Sequence, residues 1–154
     1  MIPARPEALQ IAPMEANENS PILLMMLPIA RDRIVRLLAA HGVGSVCEAG
    51  GSLRSFMESR PELRLIVVDM ELADRSWRDV LEEASAANPG VGVVVYTRTS
   101  NPGLWCEALE RGAYDVLHAD NGDESVMNIL AHALAHAERA AGGAPDRSAP
   151  ESGT

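Results

Sequence analysis

A chain of 154 residues fits one domain and is long enough to bury a core without disulfide or metal staples. Apolar residues make up 47% and aromatics only 3%, which excludes disorder over most of the length and leaves a core of Val, Leu, Ile, Met and Ala. A net charge of −9 repels phosphate backbones and anionic lipid, so nucleic acid and membrane surfaces are excluded as favoured partners and basic protein surfaces are easier to accommodate.

In chain order, residues 1–19 mix Pro, Glu, Asn and Ala without steady periodicity and read as a flexible N-terminal arm. Pro3, Pro6 and Glu7 stand where a signal peptide needs an apolar core. Ile22–Met26 is a continuous apolar run, the pattern of a strand covered on both faces and far too short to span a bilayer. Residues 29–41 follow as a helix, with Ile34, Leu37, Leu38 and His41 at helical spacing and Gly42 and Gly44 at its end. Ser45–Glu48 is a short second strand. Gly50–Gly51 opens a helix over residues 52–59 with Leu53, Phe56 and Met57 on one face, and Pro61 closes it. Leu63–Asp69 is the third strand, β-branched at its centre. Trp77, Val80, Leu81 and Ala84 are spaced for a helix that Asn88–Pro89–Gly90 stops. Val91–Thr97 is the fourth strand. Asn101–Pro102 starts a helix whose apolar stripe is Leu104, Ala108 and Leu109, and Gly112 ends it. Tyr114–His118 is the fifth strand, and Asp123 caps a last helix with Val126, Ile129, Leu130, Ala133, Leu134 and Ala137 facing inward. Residues 142–154, rich in Gly, Pro and Ser, read as a disordered tail, which leaves one folded unit over residues 20–141.

Strict alternation of five strands with five helices demands parallel strands, right-handed crossovers and helices on both faces. The expected fold is a doubly wound α/β sheet of the flavodoxin type with strand order 2-1-3-4-5. Ligands of such sheets sit at the carboxyl ends of the strands, here Met25–Leu27, Asp69, Thr97 and the neighbourhood of Ala119.

Over roughly residues 21–139 the chain resembles the receiver domain of response regulators, the CheY-like family. The segment LRLIVVDMEL resembles that family's third strand and places Asp69 at the phosphoacceptor position. VGVVVYT resembles its fourth strand, with Thr97 at the switch hydroxyl, and ALERGAYDVL carries Gly112, Ala113 and Asp115 on the approach to the fifth strand. The departures are as informative. Met25 and Met26, followed by Leu27 and Pro28, stand where the family has a cation-holding acid pair, and the nearest acid is Asp32 inside the helix. Ala73 replaces the proline after the acceptor loop, and Ala119 and Asp120 replace the lysine and proline that close the fifth strand. Val116 replaces the aromatic switch residue. The resemblance also implies a docking or dimer surface made by the fourth helix, fifth strand and last helix. Trp105 is its expected hot spot, with Leu104, Glu107, Val116 and His118 around it.

Transfer of a phosphoryl group to a carboxylate needs a cation to neutralise crowded oxygens, and Mg²⁺ takes carboxylate and water oxygens rather than thioethers. Slow phosphorylation at best is therefore expected, with no catalytic residues, no cofactor and no metal site. Met25 and Met26 are adjacent on a strand and point to opposite faces, so they fill cores rather than converge on a metal. His132 and His136, at i and i+4, lack a third ligand and are expected to be solvated. Cys47 and Cys106 make no disulfide framework; no basic residue flanks them, and Glu48 and Glu107 follow them, so buried, inert thiols are expected. A flavin-binding use of the fold needs a phosphate cradle after the first strand, which Leu27–Pro28–Ile29 does not offer, and no Asp-x-His-x-x-Gly loop for cobalamin occurs.

The expectation is thus a cytoplasmic, stand-alone pseudo-receiver in two-component signalling, not an enzyme. Its partners would be a histidine kinase, another regulator, an output protein or a second copy of itself. The alternative is a working single-domain response regulator phosphorylated on Asp69.

Overall fold

The computed structural model describes residues 20–47 and 52–142. Strands and helices alternate along it: β1 (Ile22–Met25), α1 (Pro28–Ala40), β2 (Val46–Cys47), α2 (Leu53–Glu58), β3 (Leu65–Asp69), α3 (Trp77–Ala87), β4 (Gly92–Thr97), α4 (Pro102–Glu110), β5 (Asp115–His118) and α5 (Asp123–Gly142). The sheet is parallel throughout, in the order β2-β1-β3-β4-β5. This is the topology that the alternation of apolar runs and helix-period segments demands. The arm at 1–19, Glu48, the glycines Gly50 and Gly51, and everything after Gly142 lie outside the described residues. The last helix runs one residue past the expected boundary at 141.

The side-chain period of two splits the core. Leu23, Met25, Ile66, Val68, Val93 and Val95 pack on one face beneath α2, α3 and α4. Ile22, Leu24, Met26, Leu65, Val67 and Val94 pack on the other against Ala30, Ile34 and Leu38 of α1 and Val126, Leu130 and Ala133 of α5. Met25 and Met26 fall in different clusters, as their adjacency requires.

Local chemistry sets the helix ends. The side chains of Ser52, Ser76 and Asn101 accept hydrogen bonds from the first free amides of α2, α3 and α4. The helices α1 and α4 stop the same way. Gly42 (φ +76°) and Gly112 (φ +107°) take a left-handed turn while Val43 N–H reaches back to Leu38 and Ala113 N–H to Ala108, both at 2.9 Å.

Several expectations shift. Leu63 is buried but belongs to the turn before β3, because Leu63 N–H bonds Arg60 and the strand's pairing begins at Leu65. Met26, Val91 and Tyr114 flank their strands without belonging to them. Leu109 is exposed rather than part of the α4 stripe, which narrows to Ala108 and half-buried Leu104. Asp123 is the first residue of α5 rather than its cap. Gly122 carries the carbonyl that accepts from Val126 N–H, and the Asp123 carboxylate pairs with Arg33 of α1 at 2.9 Å.

Candidate functional site

The carboxyl edge of the sheet brings Asp69, at the end of β3, under the loop after β1 and beside the loop after β4. Its carboxylate is fully buried. Leu27 N–H donates to Oδ2 at 3.2 Å and Glu71 N–H to Oδ1 at 3.0 Å. The charge is met by Arg98: Nη1 donates to Oδ1 at 3.0 Å and Nη2 to Oδ2 at 3.2 Å, a two-pronged pairing. Nη1 also donates to the Glu71 carboxylate, so one guanidinium bridges two acids. Hydrogen bonds to Asp69 and then Glu71 hold Arg98 in its charged form against the opposing effect of burial, raising its pKa further. The guanidinium lies 5.3 Å from the centroid of the Tyr96 ring, two residues back on the same strand face.

Sequence reasoning missed Arg98. It lies one residue past the apolar run of β4 and looks like loop. The usable signal was the period of two through Tyr96, together with the composition: all 13 of the chain's Lys+Arg are arginine, so no lysine is available to meet Asp69. Register does the rest. Asp69 pairs with Tyr96, which puts Arg98 diagonally within reach on the same face.

Thr97 is buried at the end of β4 but does not bond Asp69. Its hydroxyl stands 3.2 Å from that of Thr99 and accepts from Thr99 N–H at 3.1 Å, which stabilises the turn after the strand. Met25 and Met26 present thioethers to the two cores and none to the edge.

The five residues expected at a partner surface divide. Trp105 is 52% exposed. Leu104 is half-buried. Val116 is buried, because it points from β5 beneath α4, so it forms a wall and not a contact face. Glu107 is tied down by Arg78 Nε at 2.6 Å and Arg111 Nε at 2.7 Å, and these hydrogen bonds, Arg78's first, hold its carboxyl at about 2. His118 is half-buried; Asp120 N–H donates to its Nδ1 at 2.9 Å, and its Nε2 stands 3.2 Å from Ser100 Oγ. Leu109 and Tyr114 join Trp105 as exposed apolar residues on and beside α4.

Both cysteines are exposed, against expectation: Cys47 ends the short edge strand β2 and Cys106 lies on the outer side of α4. The Cys47 thiol is raised, chiefly by desolvation. His132 and His136 are exposed on α5, with the His136 ring 5.2 Å from that of Tyr114. Among the described residues no group of three or more His, Cys, Asp or Glu converges in a way that could hold a metal, and no helix is long and apolar enough to cross a membrane.

No protein-family model and no curated protein matches the chain. Solved structures do. A response regulator receiver domain protein from Clostridium thermocellum superposes with a TM-score of 0.67 at 20% identity, over 77% of this chain and 97% of that one. A CheY-like receiver domain protein from Methanospirillum hungatei gives 0.66 at 19%, over 78% and 97%. The beryllofluoride-activated NtrC4 receiver domain dimer gives 0.64 at 19%, over 75% and 97%. The chain has the receiver-domain fold.

Proposed function

We propose that this chain is an atypical receiver module of two-component signalling that works by protein–protein contact, with little or no Mg²⁺-dependent phosphorylation of Asp69. The observation that carries this reading is the Arg98 guanidinium bound to both oxygens of a fully buried Asp69 and to Glu71. The surroundings of Asp69 do not fit Mg²⁺. Carboxylate oxygens would have to come from the end of β1, where Met25, Met26, Leu27 and Pro28 stand, and an organic cation already faces the two acids present. Phosphorylation would have to break the Arg98 pairing and place more negative charge in a buried site without a metal.

The proposed contact surface is α4 with β5 and α5, where Trp105, Leu109 and Tyr114 are exposed. Its occupant would be a histidine kinase, another regulator, an output protein or a second copy; the related NtrC4 receiver domain is a dimer. This role is non-catalytic and cytoplasmic.

Incubation with acetyl phosphate and Mg²⁺ tests the reading. The expected result is no acid-labile label above that of Asp69→Asn. Stoichiometric label on Asp69, lost in that variant, would establish the alternative of a working response regulator.

A further inference from the structure

Between the β4–α4 loop and β5 lies a cleft of about 240 Å³. Its walls are apolar: Met70, Leu104, Trp105 and Val116. It exists because β5 offers only the short Val116 beneath α4, with Ala108 next to it in the same core cluster, so no long side chain fills the space. One end is polar, where His118 and Ser100 meet. Because Asp120 N–H donates to His118 Nδ1, the ring proton sits on Nε2 and is directed to Ser100 Oγ at 3.2 Å, at the mouth of the cleft.

These features select a ligand. The volume is below the roughly 300 Å³ of drug-sized pockets yet above the roughly 150 Å³ that takes one benzene ring. The flat indole of Trp105 suits a planar partner. A chain of net charge −9 disfavours an anion. We infer that this cleft binds a small, neutral, planar aromatic molecule bearing one carbonyl or hydroxyl oxygen, with the ring between Trp105 and Val116 and the oxygen accepting from His118 Nε2–H in place of exposed Ser100 Oγ. Asp69 and Arg98 do not line the cleft, although their chain neighbours Met70, Thr97 and Thr99 do.

The experiment is an amide-shift titration of the full chain with acetophenone, and with toluene, benzoate and cyclohexanone as controls. Acetophenone should give saturable shifts confined to residues 97–105 and 116–121. Its affinity should be roughly tenfold above that of toluene, which lacks the acceptor, and of cyclohexanone, which lacks the flat ring. Benzoate, being charged, should also be weaker. Val116→Phe fills the cleft and should abolish the shifts; if that variant does not fold, exposed Trp105→Ala removes one wall and should lower affinity roughly fivefold. Non-saturating shifts spread over the chain, or acetophenone affinity unchanged in whichever of these variants folds, would overturn the proposal. Equal affinity for toluene and acetophenone would overturn the role given to His118.

Discussion

A carboxylate with no exposed surface must be neutralised or hydrogen-bonded, and Asp69 is both. Two backbone amides hold its shape and Arg98 holds its charge. Truncation of the arginine leaves the carboxylate buried without its counter-charge, so Arg98→Ala should destabilise the fold by about 2 kcal/mol, less than a fully enclosed pair because Arg98 is partly open to solvent. Asp69→Asn added to that variant should recover part of the loss, since a neutral amide needs no counter-ion. Urea unfolding of the four proteins of this cycle measures the coupling, and strict additivity would show that the pair contributes nothing.

Two joints between elements carry their own expectations. The helices α3 and α4 are clasped by Arg78 and Glu107, with Arg111 one turn further along α4. The Glu107 carboxyl is held at about 2, against 4.5 when free. A carboxyl with a depressed folded-state pKa contributes fully above its unfolded value, and that contribution is lost as pH falls through the folded one. The stability gap between the native chain and Glu107→Gln should therefore be constant above about pH 4.5 and close as pH approaches about 2, which thermal melts across that window would record. At the end of α4, Gly112 sits at φ +107° with open space where a Cβ would go. The cost of Gly112→Ala is thus backbone strain alone, about 1 kcal/mol, visible as a lowered Tm.

For the molecule as a whole, helices cover the sheet's two faces, and the large apolar residues left exposed among the described ones are Ile29 on α1 and a patch of Trp105, Leu109 and Tyr114 on and beside α4. If that patch is the contact surface, exposed Trp105→Ala should weaken self-association or partner capture while changing unfolding free energy by less than about 0.5 kcal/mol. Sedimentation across a concentration series, beside urea melts of the same variant, separates the two effects. Loss of stability without any change in association would assign Trp105 to packing.

The element order, the parallel sheet and the position of Asp69 were legible in the residues themselves. Apolar runs such as Ile22–Met25 and Leu65–Val68 and the helical spacing of Trp77, Val80, Leu81 and Ala84 are local patterns, and a single physical rule converts their alternation into a topology. The same held for Met25 and Met26, whose opposite directions follow from strand geometry. The partner of Asp69 was not legible: Arg98, 29 residues further along the chain, meets it only because β3 and β4 pair with Asp69 opposite Tyr96, and register is a property of two strands rather than of either one. Exposure at α4 was likewise decided in three dimensions, where the narrow contact of α4 with β5 turned Leu109 and Cys106 outward and left Val116 facing a cleft. Local periodicity sets which way a side chain points along its own element; only packing between elements sets what it meets there.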